Sequence, residues 1–442
     1  MVVSVGHFSL NAPVWFLLLT SFAVAFAATC VAVPSIIKIS GVKKLFDQPD
    51  HRKSHSTEIP TLGGAAVFFG MLVPTTLFGT QNFGHELKFI IVGLIILFFV
   101  GIKDDMVNIS AKNKLLGEIF AIGTVAVLGD IRITSFNGFL GIGDIPYVAS
   151  ILFTIFVFVV IINGFNLIDG IDGLAAGVGM LTISTLGVWF LLIGDYNYAA
   201  FCYTVVGALL AFFRFNVFGR KNKIFLGDTG SLILGMIVSV FTVRFLESSL
   251  TATAVPDGFP APAFAFAILI VPMIDTLRVF TVRILAGKSP FAPDRSHIHH
   301  KLLLLGFNHL QSTLLILTFN LSIILLSWSL RHLGIVRLLM VIIPVSVFVT
   351  SLPGFFFRHR VRTVIGRLGM LGDKSWIVPI TFHYAVNSLY SVPRRDRPAA
   401  GDFTGDRPAE TTRDPDRELL HAYLESRRAN NQQNEYAEMG NP

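Results

Sequence analysis

Long apolar runs, interrupted by short polar segments, make up most of this chain. A helix that crosses a bilayer needs about 20 predominantly apolar residues. By that measure the runs near 13–37, 61–80, 87–102, 115–129, 148–163, 173–193, 198–213, 231–247, 261–284, 311–330 and 335–352 predict about eleven spans. Backbone N–H and C=O groups inside a bilayer must bond within the protein, which favours helices for runs of this length. The expected fold class is therefore an all-α polytopic membrane protein. The first run outlasts the roughly 7–15-residue apolar core of a signal peptide, so it is expected to stay as a helix. Beyond about Pro393 the pattern changes to Arg, Asp, Pro, Asn and Gln, a composition that favours a flexible segment. One short amphipathic helix is expected there, over Leu419 to Arg428. The expected division is a membrane body over 1–357 and a polar tail over 358–442.

Composition agrees with that division. Of 442 residues 53% are apolar and only 14% charged, against about 25% charged in soluble domains. The mean hydropathy is +0.66, and 41 phenylalanines suit lipid-facing and interhelical packing. The two cysteines, Cys30 and Cys202, sit in apolar stretches with neither metal-ligand spacing nor a disulfide framework. A net charge of +7 does not call for nucleic acid, because the basic residues flank membrane spans.

The same basic residues set an orientation. Lys38, Lys43, Lys44, Arg52 and Lys53 follow the first span, and Lys103, Lys112 and Lys114 follow the third. Arg214, Arg220, Lys221 and Lys223 follow the seventh, Lys288, Arg295 and Lys301 the ninth, and Arg358, Arg360, Arg362 and Arg367 the last. The opposite loops hold little beyond Arg132 and Arg331. Positive charge stays inside, so the N-terminus is expected outside and the C-terminus in the cytoplasm. That result requires an odd number of spans, as counted.

Five polar motifs then fall on the cytoplasmic face. The pair Asp104-Asp105 directly follows the third span. Adjacent carboxylates repel unless a proton or cation offsets them, and Mg²⁺ with phosphate oxygens is a common solution. In the run Asn163 to Gly173, Asn163, Asn166, Asp169 and Asp172 recur every three residues. That period aligns oxygen-bearing side chains on one helix face, and four such groups beside a membrane are too expensive to be caps alone. Gly164, Gly170 and Gly173 are expected to admit a ligand close to the backbone. Gly227-Asp228-Thr229-Gly230-Ser231 opens a span, where free N–H groups favour an anion or where Asp228 or Thr229 serves as an N-cap. Arg295, His297, His299 and His300 form a dense basic loop suited to pyrophosphate or sugar oxygens. No cysteine completes a zinc set with them. Lys53, His55 and Lys114 are further basic candidates, and Asp275 and Arg278, spaced i,i+3, are expected to pair within the bundle.

Together these motifs resemble the polyprenyl-phosphate N-acetylhexosamine-1-phosphate transferases. The resemblance runs from about Leu45 to Phe307 in a fixed order. Arg-Lys-x-His with Pro60-Thr61-Leu62-Gly63-Gly64 comes first, then the Asp pair, the Asn-x-x-Asn-x-x-Asp-Gly-x-Asp-Gly run, Gly-Asp-x-Gly-Ser and His-x-His-His. The last loop, Pro-Asp-Arg-x-His-Ile-His-His, is similar to the bacterial branch that uses UDP-N-acetylglucosamine and undecaprenyl phosphate. The resemblance implies transfer of N-acetylhexosamine 1-phosphate from a UDP-sugar to a polyprenyl phosphate, with UMP released, at the cytoplasmic face of the bacterial inner membrane. It implies Mg²⁺, with Mn²⁺ as an alternative ion, held by Asn166 and Asp228. It implies that Lys114 holds phosphate and Asp172 helps fix the nucleotide, and that Asp104 and Asp105 position or deprotonate the lipid phosphate. Asp169 joins the catalytic set; Lys53, His55, Asn163 and the Arg295–His300 loop contact substrate. A homodimer is compatible with this reading. The competing reading is a transporter or flippase for an anionic lipid or sugar phosphate. Such sites lie near the bilayer midplane, whereas these groups cluster at helix ends.

Overall fold

A computed structural model describes residues 2–5, 8–11, 13–43, 46–47, 59–78, 86–254, 258–285 and 297–367. The chain divides into two compact units. One takes in residues 1–47, 59–293 and 297–351 and holds all the packing below; in the other the described part is the last helix beyond 351. Helices occupy every predicted span. They are α1 (Val14–Lys43), α2 (Gly63–Phe78), α3 (Glu86–Val107), α4 (Ala111–Gly123), α5 (Tyr147–Ile168), α6 (Leu174–Leu192), α7 (Tyr196–Phe218), α8 (Gly227–Thr251), α9 (Ala261–Ile268), α10 (Ile270–Leu285), α11 (Ile298–Leu304), α12 (His309–Ser329) and α13 (Ile335–Arg367). A π-helical turn over Thr124–Leu128 prolongs α4. Two short antiparallel strand pairs, Val2–Val5 with Phe8–Asn11 and Phe46–Asp47 with Ile59–Pro60, are the only strands among the described residues.

Among the described residues seven helices are long and apolar enough to cross a membrane, or eight if α9 and α10 count as one bent span. Against the eleven expected, the shortfall is α2, α3 and α4. The first has 16 residues, the last has 13 before its π turn, and α3 carries Glu86 and Lys88 at one end and Lys103, Asp104 and Asp105 at the other.

α8 is the central helix, buried over nearly all its length. At 1.5 Å per residue, a helix of this size runs about 37 Å, enough for a hydrocarbon core of about 30 Å. Lipid tails are as apolar as the protein, so contacts between such helices rest on close packing rather than on escape from water. Gly101 of α3 shows the consequence. A Cβ there would sit 2.3 Å from the Cα of Thr229, so only glycine lets the end of α3 touch the start of α8. Around α8 the fully buried Phe158, Phe165, Phe190, Phe212, Phe241 and Phe245 fill the interior.

α3 and α8 run antiparallel, with polar contacts at both ends. At one end Tyr198 donates to Glu86 (2.6 Å), and Arg244 reaches Asp195 (3.2 Å). Nearby, Glu247 accepts from the Thr134 amide (2.8 Å) and hydroxyl (2.6 Å). The other end carries the motifs.

The ninth predicted span is broken, not straight: α9 and α10 meet at 77°. Pro272 explains the break. It has no N–H to offer the carbonyl of Ile268 four residues back, and that carbonyl takes the Thr182 hydroxyl at 3.4 Å instead.

Candidate active site

The α3–α4 turn builds the first half of the site. Asn108 adopts the left-handed conformation (φ 51°), which asparagine tolerates, and Ser110 caps α4 by accepting from the Asn113 amide. The reversal brings Lys114 back over Asp104. Asp104 Oδ1 accepts from the Ile109 amide (2.8 Å), and its Oδ2 lies 2.9 Å from Lys114 Nζ. The same ammonium sits 2.6 Å from Asp228 Oδ1. Asn166 donates to that oxygen at 2.5 Å and to Ser231 Oγ at 2.9 Å. Residues far apart in the chain thus meet through one carboxylate oxygen.

Asp105 answers the question left open at the start of α8. Neither Asp228 nor Thr229 caps the helix. Asp105 does so from α3, accepting from the amides of Asp228 (2.7 Å) and Thr229 (3.0 Å) and from the Thr229 hydroxyl (2.6 Å). The anion expected at this helix N-terminus is therefore an internal one. Burial pushes the Asp105 carboxyl up to about 6, reinforced by the neighbouring Asp228 charge and opposed by the Thr229 hydrogen bonds. Gly227 makes the fit possible: its φ is +73°, and a Cβ would fall 2.1 Å from the Thr61 carbonyl oxygen. Gly227→Ala should cost at least about 1–2 kcal/mol from the left-handed backbone alone and displace Asp228. Thermal unfolding in detergent, measured beside activity, should show both losses.

The Asn163–Gly173 run does not form one polar face. α5 ends at Ile168, so only Asn163 and Asn166 share its surface, while Asp169 and Asp172 lie in the following turn. Asn163 donates to Glu118 Oε2 (2.7 Å) and to the Val159 carbonyl (3.0 Å). Asp172 turns to a second cluster, with Lys223 Nζ at 2.7 Å and His309 Nδ1 at 2.9 Å on its Oδ2. Its buried Oδ1 has no hydrogen-bond partner among the described residues. Burial would raise the Asp172 carboxyl, but hydrogen bonds from His309 and Lys223 prevail and hold it below its ordinary value. The expected close approach at the glycines is made by protein neighbours. Gly170 lies against the His299 ring, where a Cβ would come within 2.2 Å of Nε2, and Gly164 meets Pro272.

That contact joins the histidine loop to the acidic turn. His297 and His299 stack 5.8 Å apart and nearly parallel, with His300 4.3 Å beyond. The His299 ring is buried, and among the described residues neither of its nitrogens has a hydrogen-bond partner. Burial, helped by the neighbouring His300 charge, holds its pKa well below the ordinary value, so it is a neutral imidazole. Asp275 pairs with Arg278 as expected (2.8 Å) and also takes His297 Nδ1 (2.9 Å). Lys53, His55 and Arg295 lie outside the described residues.

Charge defines what this site accepts. Lys114 is the cation bonded to Asp104 and Asp228, with Asp105 and Asp169 close by. Burial opposes the Lys114 charge, but Asp228 and Asp104 outweigh it and raise its pKa. Asp169 registers the surplus: burial and repulsion from Asp228, Asp105 and Asp172 raise its carboxyl well above the ordinary value. Surplus negative charge with hard oxygen donors fits a divalent cation such as Mg²⁺. Among the described residues no three His, Cys, Asp or Glu side chains are arranged to hold a metal.

Sequence reasoning missed Glu118, Lys223 and His309. Glu118 had a local signal, a buried carboxylate one helical turn from Lys114 within an apolar run. Lys223 looked like a topology charge, and nothing local marks His309.

A family profile described as glycosyl transferase family 4 matches residues 87–246. A probable undecaprenyl-phosphate N-acetylglucosaminyl 1-phosphate transferase of Bacillus subtilis (strain 168) is 32% identical over 303 residues, covering 68% of this chain and 81% of the relative. Undecaprenyl-phosphate alpha-N-acetylglucosaminyl 1-phosphate transferases of Yersinia pestis and Escherichia coli (strain K12) are each 31% identical. The first alignment covers 68% of this chain and 79% of the relative, the second 63% and 74%.

Proposed function

Because the chain belongs to the polyprenyl-phosphate N-acetylhexosamine-1-phosphate transferases of glycosyl transferase family 4, we propose that it transfers N-acetylglucosamine 1-phosphate from UDP-N-acetylglucosamine to undecaprenyl phosphate. The net reaction forms a bond between a lipid phosphate oxygen and the sugar-bearing phosphorus. It breaks that phosphorus's bond to the bridging oxygen, which leaves with UMP. The lipid-linked sugar begins the assembly of a cell-surface polysaccharide.

The observation that carries this reading is the meeting of Lys114, Asp104, Asn166 and Asp228 at one end of the bundle. Two anions must approach each other in this reaction, and fixed cations and a metal relieve their repulsion. Asn166 and Asp228 would hold Mg²⁺, which when bound supplies charge neutralisation for the diphosphate. Asn166 offers its amide oxygen if the side chain turns over, an assignment the hydrogen-bond network leaves to context. Lys114 would bind phosphate, and Asp172, set by Lys223 and His309, the nucleotide. Asp105 would act by seating Asp228, Asp104 by steering Lys114, and both by orienting the lipid phosphate. Asp169 would gain charge as the cation binds. Neutral His299 would donate one ring N–H, and Arg295, His297, His300, Lys53 and His55 would contact pyrophosphate or sugar.

In this reading all eleven longer helical units, with α9–α10 counted once, cross the bilayer and the C-terminus is cytoplasmic. The site then opens to the cytoplasm of a bacterial inner membrane, where a soluble nucleotide and a headgroup-depth lipid phosphate meet. Residues 1–357 form the catalytic membrane body and 358–442 a polar tail.

Purified protein in detergent should release UMP from UDP-N-acetylglucosamine only with undecaprenyl phosphate and Mg²⁺ present. EDTA should stop the reaction and added Mg²⁺ restore it. Turnover at full rate in EDTA would remove the metal assignment; no UMP under any condition would remove the activity.

A further inference from the structure

We propose that Asp275 is a positioning residue that sets the proton and the orientation of His297. Asp275 lies in α10, 3% exposed, and has no place in the transfer chemistry described above. Both of its oxygens are engaged. Oδ2 faces His297 Nδ1 at 2.9 Å. Oδ1 accepts from the Ile298 amide at 3.0 Å and from Arg278 Nη2 at 2.8 Å.

An ionised carboxylate only accepts hydrogen bonds, so the bond at Oδ2 places a proton on His297 Nδ1 and leaves Nε2 as the ring's other working nitrogen. Arg278, a permanent cation, is the counter-ion of this buried carboxylate at 2.8 Å. The Ile298 bond ties the same carboxylate to the first amide of α11, whose first turn carries His299 and His300. His297 stacks on His299, and His299 rests on Gly170 beside Asp169. One carboxylate therefore sets the tautomer of one imidazole and the seat of the next two. The break between α9 and α10 gives α10 its own direction, so the placement of Asp275 follows from the kink.

This inference rests on the transfer reaction proposed above. Asp275→Asn separates positioning from mere capping. Asparagine caps helices well and keeps an acceptor for the Ile298 amide. Its NH₂ would then meet His297 Nδ1 and force the proton to Nε2. UMP release by the Asp275→Asn protein should fall about 10- to 100-fold, the range for one hydrogen bond to a charged group. The KM for undecaprenyl phosphate should stay close to wild type, while the thermal midpoint should fall because Arg278 loses its counter-ion. In a His297→Ala background, Asp275→Asn should add less than about threefold, because residues acting through one another are not additive. If Asp275→Asn does not fold, Nδ-methylhistidine at position 297 replaces the Nδ1 proton with a methyl group and should reproduce the loss. Wild-type activity in Asp275→Asn or the methylhistidine protein, or multiplying losses in the double variant, overturns the proposal. Wild-type protein that releases no UMP overturns the reaction itself and is thereby told apart.

Discussion

Asp228→Ala should abolish UMP release and leave the protein folded in detergent. Asp228 is the point where three elements converge: Lys114 from α4, Asn166 from α5 and its own helix α8. Removing its carboxylate takes away the proposed metal ligand together with the charge that holds Lys114 toward the site. Loss of one preorganised electrostatic group costs about 10²–10³ in rate, and the loss here should be at least of that order. Stability should change little. The Asp228 side chain is 31% exposed, Lys114 keeps Asp104 at 2.9 Å, and the α8 cap comes from Asp105 through backbone amides. Asp228→Asn retains the shape and should be nearly as inactive, because an amide cannot supply the charge. Full turnover by either variant, measured as UMP formed per folded protein, would sink the assignment.

Lys114→Met should show the opposite balance, losing stability as well as activity. Its side chain is 15% exposed and that of Asp104 10%, so the change leaves a buried carboxylate without its cation. Breaking a buried pair costs about 3–5 kcal/mol, and the lower end applies because Asp228 retains contact with water. The thermal midpoint should fall clearly below wild type, and Lys114→Arg should recover most of it. Mg²⁺ should raise the midpoint of Lys114→Met more than that of wild type, since a ligand that binds only the folded state stabilises it. A midpoint unchanged from wild type would mean that this ion pair contributes nothing to the fold.

The relation between these two residues was only partly legible in the sequence. Both stand in or beside marked motifs, and the resemblance to known transferases names each. Nothing along the chain says that they share one oxygen, or that Asn166 completes the contact. The Asp104-Asp105 pair is the clearest case of a division of labour that the sequence hides. As neighbours on a helix end they read as one acidic unit. In the structure they point to different tasks, Asp104 to Lys114 and Asp105 to the first amides of α8. The four-fold Asn/Asp period likewise read as one helical face, but α5 stops at Ile168. Asp172 therefore turns to Lys223 and His309, and not to the cluster of Asn166.

What the sequence determined by itself is the helical membrane body, the family and the end of the bundle where the polar motifs gather. The bilayer allows few solutions for long apolar runs, and polar groups beside it are too costly to be incidental. What only the tertiary structure decided is the partner of each charged group. Partnership depends on glycine contacts such as Gly101 on Thr229, on the break at Pro272 and on the Asn108 turn. These bring together residues more than a hundred positions apart, and electrostatic pairing falls off over a few ångströms in space, a distance that spacing along the chain does not record.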